Sequence, residues 1–381
     1  MDQSIWKVPL SDISFGQTEY RAVEKVLRSG WLSMGEVTGR FETEWTEYLN
    51  CEYAFAVSSG TAALHLACLA LEIGPGDEVI VPSLTFVATS NAVLNTGAKP
   101  VFADINSLDD LTISPAAIEQ MITPRTKAIM VMHYGGYLCD MPAILEIANN
   151  HGLVVIEDAA HAPGSTLDGK KAGVLGDVGC FSFFANKNLV TGEGGLVVTK
   201  RPELAEKIRW LRSHGMTSMT WDRHRGHAQS YDVVRLGYNY RLDEMRSALG
   251  LIQLEKLEQN NHYRREIDNL YRSEFITHNS LKSPFTHPRG CPVYHLSVVL
   301  LNRPEHRSSF IEHLGQRGIQ TSLHYPPIHL FTYYRQRLGT QAGLLPITEM
   351  ASSRLVTLPL FASMLPEQAE MVIQAVISYN P

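Results

Sequence analysis

The sequence Cys180-Phe-Ser-Phe-Phe-Ala-Asn-Lys-Asn188 joins an apolar run to a serine and a lysine, and the glycine-rich turn Gly192-Glu-Gly-Gly195 follows it closely. This pattern predicts a buried strand with Ser182 and Lys187 at its exit, before the chain reverses into a second apolar run, Leu196-Val-Val-Thr199. Lys187 is therefore expected at a strand end, not on a solvated helix.

The neighbours of Lys187 indicate what its amine could do. We expect the ammonium group to lie among Phe183, Phe184 and Leu189, where apolar surroundings disfavour the charged form and make the neutral, nucleophilic form accessible. Carbonyl chemistry through a Schiff base requires such a lysine. A lysine whose stem only covers apolar surface is an equally good interpretation of this segment, so the rest of the chain has to decide.

Composition limits the classes of protein to consider. The chain has 381 residues, of which 44% are hydrophobic and 19% charged, enough for one large core and a smaller second one. The net charge of -6 offers no basic surface for nucleic acid, so a small-molecule partner is favoured. The N-terminus has no apolar leader segment and no run is long enough to cross a bilayer, which predicts a cytoplasmic protein.

The cysteines give no sign of a metal site or a disulfide framework. They form no C-x-x-C pair, and no histidine lies at the spacing of a zinc site. We therefore predict no bound metal and five reduced packing residues. These are Cys51, Cys68, Cys139, Cys180 and Cys291.

Short apolar runs alternate with longer amphipathic stretches, which is typical of an α/β protein with a mostly parallel sheet. The predicted strands are residues 54–57, 78–81, 100–103, 128–131 and 153–156, and predicted helices include 61–71 and 140–150. Ligands bind such sheets at the carboxyl ends of the strands. The residues that follow each run are therefore the candidates for a site.

Three of these following segments are polar, glycine-bearing or aromatic. Ser58-Ser-Gly-Thr61 could bind a phosphate at a helix start, or simply cap the helix. Asp158 could pair with a protonated ring nitrogen, or cap the next turn. Phe86 could lie on a flat ring, although such an aromatic is more often part of a core. Together with Lys187 these features meet the needs of pyridoxal phosphate.

Five segments carry a specific resemblance. They are Ser59-Gly-Thr-Ala-Ala-Leu64, Glu157-Asp-Ala-Ala160, Ser182-Phe-Phe with Lys187-Asn-Leu, Thr191-Gly-Glu-Gly-Gly195 and Gly237-Tyr-Asn-Tyr-Arg-Leu242. In this order they resemble the DegT/StrS family of sugar aminotransferases, and the likeness runs from Leu10 nearly to the C-terminus. The resemblance implies fold type I, as in aspartate aminotransferase, with a seven-stranded, mostly parallel sheet. It also implies a homodimer with active sites at the subunit interface.

The resemblance assigns a role to each matching residue. Lys187 would form the Schiff base with the cofactor and move the proton between substrate carbon and cofactor carbon. Asp158 would pair with the pyridine nitrogen. Ser182 and the backbone of Gly60 and Thr61 would bind the phosphate.

Three further positions complete the predicted cofactor site. Phe86 would stack on the ring, at a position often filled by Trp or Tyr, and His161 matches a position often filled by glutamine. Asn239 would reach the phosphate of the neighbouring subunit's cofactor.

Four residues are predicted substrate contacts, each with an alternative. Trp31 lies in a segment similar to a family stretch near the sugar and would otherwise be a core anchor. His324 and Tyr325 belong to a loop that would border the substrate site or, with its two prolines, act as a rigid connector. Arg223, in the polar run 221–227, could bind a substrate diphosphate, although such runs are more often solvated loops.

The domain division follows from the last third of the chain. Asp243 is predicted to start a helix whose apolar residues Met245, Ala248, Leu249 and Ile252 share one face and which leads out of the large domain. A new apolar run from Tyr294 to Leu301, with two further helical patterns, predicts a smaller α/β domain. We place the large domain at residues 1–254 and the small one at 255–381.

The sequence thus predicts an aminotransferase that moves an amino group from L-glutamate or L-glutamine to a keto group of a nucleotide-linked deoxysugar. A keto-cyclitol acceptor is the nearest alternative. A sugar dehydratase of the same family is a third, but those members replace the lysine with histidine, and this chain has Lys187. A sensor that keeps only the cofactor fold is disfavoured, since it needs no reactive lysine. The particular sugar, carbon and amino donor are not predicted.

Overall fold

A central sheet of seven strands organises the chain. A computed structural model describes residues 6–218 and 230–381. Helices cover both faces of this sheet, and a second sheet of three strands is built from the C-terminal part of the chain. The predicted α/β fold with a seven-stranded, mostly parallel sheet is confirmed.

The helices alternate with strands through most of the described chain. The helices are α1 (Gln17–Ser29), α2 (Glu36–Leu49), α3 (Gly60–Ala70), α4 (Val87–Asn95), α5 (Pro115–Gln120), α6 (Met141–His151), α7 (Pro202–Leu211), α8 (Glu244–Phe275), α9 (Arg307–Gln316), α10 (Thr332–Leu338), α11 (Pro346–Arg354) and α12 (Pro366–Ile377). Among these helices of the described residues, none has the length and apolar character needed to span a membrane.

The strands fall into three sheets. They are β1 (Tyr53–Val57), β2 (Glu78–Pro82), β3 (Lys99–Ala103), β4 (Thr126–Met132), β5 (Val154–Asp158), β6 (Thr166–Leu167), β7 (Lys170–Lys171), β8 (Val178–Ser182), β9 (Gly195–Thr199), β10 (Leu281–Lys282), β11 (Ser297–Leu301) and β12 (Leu355–Leu358). The large sheet has the order β1-β9-β8-β5-β4-β2-β3, the small one β10-β11-β12, and β6 pairs with β7.

The topology of the large sheet brings the ends of several strands to one edge. Strand β9 runs antiparallel to both of its neighbours, and the other pairs are parallel. Val57 at the end of β1 and Ser182 at the end of β8 both face Gly195, where β9 begins. The end of β5, Asp158, lies opposite Met132 on one side and Cys180 on the other. The segments that follow these strands are therefore neighbours in space.

Both faces of the sheet are buried, which explains the uninterrupted apolar runs. Alternate residues of β9 point to opposite faces. Val197 packs in a cluster with residues of α3 and α7. Leu196 and Val198 pack in another cluster with Phe41 and Trp45 of α2.

The C-terminal part of the chain packs against the end of a long helix. Helix α8 has 32 residues, and its start is capped by Asp243, whose carboxylate accepts a hydrogen bond from the backbone N–H of Arg246 at 2.9 Å. Tyr271 and Phe275 near its other end pack with residues of the small sheet, α9 and α12. The predicted division between residues 254 and 255 falls inside α8, and it remains a prediction.

The apolar run from Tyr294 to Leu301 is only partly a strand. Strand β11 begins at Ser297. Before it, the backbone N–H groups of His295 and Leu296 donate to the carbonyl oxygen of Gly135, at 2.8 and 3.3 Å. These two residues therefore bind the turn that follows β4 instead of extending the small sheet.

Candidate active site

A cavity of about 340 Å³ lies at the edge where the strands end. Most of the residues predicted from the sequence contribute to its wall. They are Gly60, Thr61, Phe86, Asp158, His161, Ser182, Lys187, His324 and Tyr325. The cavity thus combines segments that follow β1, β2, β5 and β8 with a loop from the C-terminal part of the chain.

The start of α3 forms one end of the cavity. The side chain of Ser59 caps the helix by accepting a hydrogen bond from the backbone N–H of Ala62 at 3.1 Å. A Cβ atom at Gly60 would lie 2.7 Å from Cβ of Ser182, so only glycine lets the helix start approach the end of β8 this closely. The serine hydroxyl and the first turn of the helix therefore share one concave surface that suits an anion.

Asp158 lies at the end of β5 and is 5% exposed. Its carboxylate accepts hydrogen bonds from the Thr89 hydroxyl at 2.8 Å and from the backbone N–H of Ala160 at 3.2 Å. Burial raises the pKa of Asp158, opposed by these two hydrogen bonds and by the positive charge of Lys187. A buried carboxylate of this kind is stabilised by a cationic N–H partner.

The carboxylate of the preceding residue, Glu157, has a structural role. Glu157 is fully buried and accepts hydrogen bonds from the backbone N–H groups of Gly173, Leu175 and Gly176, at 2.8, 2.7 and 2.6 Å. It also lies 2.9 Å from Nε2 of His133. Glu157 therefore anchors the loop before β8. This role could not be predicted from the sequence, since both acids follow the same apolar run.

Lys187 lies in the turn after β8, five residues beyond the strand end, and its backbone N–H donates to Phe184 O at 2.9 Å. Burial lowers the pKa of Lys187 to about 8, although the Asp158 carboxylate opposes the shift. The apolar surroundings differ from those predicted. Phe184 lines the cavity, whereas Phe183 and Leu189 pack in the core with Trp45, because alternate residues point to opposite sides of the segment.

His161, 2% exposed, and the Tyr325 hydroxyl form a connected part of the wall. His161 Nδ1 accepts a hydrogen bond from the backbone N–H of Gly135 at 3.3 Å, and Nε2 lies 3.0 Å from Tyr325 Oη. The ring of His161 packs on that of His295, with 4.2 Å between centroids.

The peptide that carries His324 is also fixed. The Tyr134 hydroxyl donates to the carbonyl oxygen of His324, and the His324 side chain lies 2.9 Å from the hydroxyl of Thr357. Burial, reinforced by the charge of Lys187, lowers the pKa of His324 to about 4, so its imidazole is neutral. Neither contact was predicted, because the partners are far apart in the sequence.

Phe86 is at the mouth of the cavity and is 54% exposed. Its ring lies 6.2 Å from that of Tyr325. A half-exposed aromatic ring on a cavity wall can gain burial when a flat ligand covers it. The alternative that Phe86 belongs to the core does not hold.

Two predicted residues, Asn239 and Trp31, lie outside the wall of this cavity. Asn239 is exposed and bridges to Ser213, outside the cavity wall. Trp31 is half-buried beside Gly35, where an added Cβ would lie 2.7 Å from Nε1 of Trp31, and it also does not line this cavity. Arg223 lies outside the described residues.

A buried polar cluster behind Lys187 was missed from the sequence. Asn188 Nδ2 donates to Asn261 Oδ1 at 2.8 Å and to Val293 O at 3.2 Å. Its Oδ1 lies 2.9 Å from His295 Nδ1. The position of Asn188 directly after Lys187 was the only sequence signal. The cluster ties the lysine turn to α8 and to the C-terminal part of the chain.

The residues of the cavity fit pyridoxal phosphate. The anion-binding surface at Gly60 and Ser182 suits its phosphate, the carboxylate of Asp158 suits its ring nitrogen, and the amine of Lys187 suits its aldehyde. Oδ1 of Asn186 is buried on the same wall and has no hydrogen-bond partner within residues 6–218 and 230–381, as expected for a site shaped to hold a polar ligand.

Comparisons with known proteins extend over nearly the whole chain. The sequence model of the DegT/DnrJ/EryC1/StrS aminotransferase family matches residues 14–377. Spore coat polysaccharide biosynthesis protein SpsC from Bacillus subtilis (strain 168) is 42% identical over 374 residues, 97% of this chain and 96% of that protein.

Solved structures agree with this match. PseC from Helicobacter pylori, an aminotransferase involved in the biosynthesis of pseudoaminic acid, aligns with a TM-score of 0.90 and 31% identity over 97% of this chain and 98% of its own. The PMP form of Spr1654 from Streptococcus pneumoniae aligns with a TM-score of 0.92 and 29% identity over 98% of each chain.

Proposed function

The chain belongs to the DegT/DnrJ/EryC1/StrS aminotransferase family and is a pyridoxal-phosphate-dependent aminotransferase, and on this premise we propose that it aminates a keto group of a nucleotide-linked deoxysugar. The amino donor would be L-glutamate or L-glutamine, and the product an amino sugar. The observation that carries the proposal is the meeting of Lys187, Asp158 and the start of α3 on one cavity. A keto-cyclitol acceptor is the alternative substrate, and Lys187 argues against sugar dehydration.

We assign the cofactor contacts as follows. Lys187 would bind the aldehyde carbon, Asp158 the ring nitrogen, and Ser182 with the backbone of Gly60 and Thr61 the phosphate. Pyridoxal phosphate, when bound, supplies an electron-accepting ring that stabilises the charge left on a substrate carbon when its proton leaves.

The amine of Lys187 is suited to moving that proton. With a pKa of about 8 it is present in both protonation states near neutral pH, so it can accept a proton from one carbon and return it to another. The cluster around Asn188 would hold the lysine turn in place during this transfer. The hydrogen bonds from Thr89 and Ala160 would hold the Asp158 carboxylate in the orientation in which it accepts a hydrogen bond from the ring nitrogen.

The open mouth of the cavity would admit the sugar. Phe86 and Phe184 are both about half exposed there and would cover the bound molecules and exclude water. We propose that His324 and Tyr325 contact the sugar side of the cavity. Trp31 and Arg223 remain predicted substrate contacts.

A homodimer with shared active sites is part of the proposal. Asn239 is exposed, and the segment before it carries the exposed apolar side chains of Tyr231, Val233, Val234 and Leu236. Such a group of apolar side chains is costly to leave in water and favours burial against a partner. A second copy placed there would bring Asn239 toward the neighbouring phosphate.

The test is a substrate screen with the purified holoenzyme. Nucleotide-linked 3-keto and 4-keto deoxysugars would each be mixed with L-glutamate or L-glutamine, and mass spectrometry would follow loss of the keto compound and gain of the amino sugar. We expect one keto position to be aminated, and Lys187→Ala as control to give no product. Turnover of a keto-cyclitol with none of the nucleotide sugars would refute the proposed substrate class.

A further inference from the structure

A serine, a histidine and a glutamate form a chain of hydrogen bonds behind the cavity wall. Oγ of Ser83 lies 2.7 Å from Nδ1 of His329, and Nε2 of His329 lies 3.0 Å from Oε1 of Glu349. The groups follow the order of a serine hydrolase triad. Ser83 and His329 are both 0% exposed, however, so no substrate could reach this hydroxyl and the chain must have another role.

The direction of the hydrogen bonds follows from the donors. The backbone N–H of His329 donates to Oγ of Ser83 at 3.1 Å, so the serine oxygen is an acceptor there. The serine hydroxyl has one hydrogen to donate, and among residues 6–218 and 230–381 the acceptor within its reach is Nδ1 of His329. A neutral imidazole with a bare Nδ1 carries its hydrogen on Nε2, which therefore donates to Glu349.

The glutamate end of the chain is anchored in the C-terminal part of the molecule. Glu349 belongs to α11 and also accepts hydrogen bonds from the backbone N–H of Gly343, at 2.8 Å to Oε1 and 3.0 Å to Oε2. The carbonyl oxygen of His329 accepts a hydrogen bond from the Thr340 hydroxyl at 2.6 Å. His329 is therefore held from behind, independently of the cavity.

The serine end of the chain leads to the cavity. Ser83 follows the last residue of β2, and Phe86, three residues further on, is part of the cavity wall. The carbonyl oxygen of Ser83 also accepts the backbone N–H of Ile328 at 3.0 Å. The segment 83–86 is thus joined to the loop that supplies Tyr325 to the same wall, where the rings of Phe86 and Tyr325 lie 6.2 Å apart.

Phe86 depends on this backbone support because its own side chain is weakly held. The ring is 54% exposed, so packing against the protein fixes its orientation only in part. Phe86 is also the N-cap residue of α4, where its side chain makes no capping hydrogen bond. An aromatic ring gains from stacking on a flat ligand only when the two rings are suitably oriented. The position of the segment 83–86 therefore decides how well Phe86 can cover a ligand.

We propose that His329 is a positioning residue that holds Phe86 over the ring of the bound cofactor, through its hydrogen bonds with Ser83. The inference rests on the cofactor part of the proposed function, the stacking of Phe86, and not on the identity of the sugar. Loss of the link at Ser83 lets the segment 83–86 move, so that Phe86 covers the ring less well. Loss of the link at Glu349 weakens the fold but leaves the segment in place.

Two substitutions of His329 separate the two ends of the chain. The amide of glutamine reaches the position of Nε2 and can donate to Glu349, whereas that of asparagine reaches the position of Nδ1 and can accept from Ser83. In the holoenzyme without substrate, His329→Gln should reduce the visible circular dichroism of the cofactor by about half and raise its dissociation constant roughly fivefold.

His329→Asn is the matched control for this measurement. It also loses one buried hydrogen bond and should lower the melting temperature, but both cofactor properties should stay within about 1.5-fold of wild type. Equal changes of the two cofactor properties in His329→Gln and His329→Asn would mean that His329 supports only the fold, and would overturn the proposal.

Ser83→Ala breaks the same link from the other side. It should reproduce the changes of His329→Gln, and combining the two should add little, because both remove one interaction. In a Phe86→Ala background, His329→Gln should not raise the dissociation constant further, since its effect passes through the missing ring. Additive effects in either pair would overturn the positioning role.

The two proposals fail separately. The dichroism and affinity measurements use the holoenzyme without a keto sugar, so they decide the role of His329 even if no nucleotide sugar is aminated. Should His329→Gln fail to fold, Ser83→Ala, alone and combined with Phe86→Ala, still decides the question. An unchanged dichroism and dissociation constant in Ser83→Ala would then overturn the proposal.

Discussion

Glu157 and Asp158 are adjacent buried carboxylates on opposite sides of the end of β5, and their surroundings differ. Glu157 accepts from three backbone N–H groups at residues 173–176 and contacts His133. Asp158 accepts from one hydroxyl and one backbone N–H in the described part of the chain. A carboxylate surrounded by donors fixes structure, whereas one with spare acceptor capacity and a raised pKa is available to a ligand.

The largest effect is expected from the group that faces Asp158 across the cavity. Lys187→Ala should lower the turnover rate by about 10⁴-fold, since both covalent attachment and proton transfer depend on this amine. The variant should still bind the cofactor through the phosphate and ring contacts, but without the yellow colour of the attached form. Steady-state kinetics and the absorbance spectrum measure the two properties.

Borohydride reduction identifies the lysine to which the cofactor is attached. After reduction and peptide mapping, the cofactor mass should be found on the peptide that contains Lys187. Lys207→Ala is the control, because Lys207 is paired at 2.6 Å with Glu72 on the surface and should leave activity intact. Cofactor attached to any lysine other than Lys187 would refute the site.

The next largest effect on turnover is expected at Asp158, which lines the cavity at the end of β5. Asp158→Asn should reduce turnover by about 10²- to 10³-fold while cofactor content stays largely unchanged. An amide cannot hold the ring nitrogen in its protonated form, so the ring withdraws electrons less well. Kinetics and the cofactor-to-protein ratio provide the measurement. Wild-type turnover in this variant would contradict the role given to Asp158.

The next effect in size is expected from a carboxylate introduced at Asn239, at the proposed subunit interface. Asn239→Asp should weaken cofactor binding by about 10-fold, because the added charge would repel the phosphate of the neighbouring subunit. Mixing this variant with Lys187→Ala under subunit exchange should restore activity. One site of each heterodimer then has a normal Lys187 and a normal Asn239, so about a quarter of wild-type activity is expected for random pairing.

Mass spectrometry of the intact mixture is the control for that experiment. It should show heterodimers alongside both homodimers. Each homodimer alone should be nearly inactive when the free cofactor is held well below the weakened dissociation constant of the Asn239→Asp variant. If heterodimers form while activity stays at the homodimer level, Asn239 serves its own subunit and the shared-site proposal fails.

The sequence predicted the strands of the large sheet because their signal is local. The runs at 54–57, 78–81, 100–103 and 128–131 all coincide with strands to within two residues at either end. The groups that follow them meet at one edge because parallel strands share a direction. This topology, and not any individual contact, made the cavity predictable.

The helix predicted to start at Asp243 is present, but the apolar face predicted for it is not its most buried face. Of the four residues assigned to it only Ala248 is buried, whereas Met245, Leu249 and Ile252 are half-buried. The helix packs closely on α2 through Gly250, where an added Cβ would lie 2.6 Å from the Phe41 ring. Close packing of helices favours small residues, and a hydrophobic pattern does not identify them.

The contacts that orient the side chains of the site could not be predicted from the sequence. His161 is 26 positions from Gly135 and 164 from Tyr325, and their meeting depends on the packing of the C-terminal part of the chain against the large sheet. Residue types alone also left Glu157 and Asp158 equivalent. Only the alternation along β5 and the position of the loop at 173–176 separate them.

The smallest effect on turnover is expected at Glu157, whose carboxylate anchors the loop before β8. Glu157→Gln should destabilise folding by about 3 kcal/mol, because the amide group would face N–H donors and leave one of them buried without a partner. Activity per bound cofactor should stay within about threefold of wild type, since no proposed step uses Glu157. Urea unfolding and kinetics normalised to cofactor content measure the two quantities. Glu203→Gln, an exposed partner of Arg201, is the control and should change neither. If Glu157→Gln instead lowered turnover as strongly as Asp158→Asn while leaving the unfolding midpoint unchanged, the two carboxylates would have exchanged roles and the distinction drawn from their hydrogen bonds would be wrong.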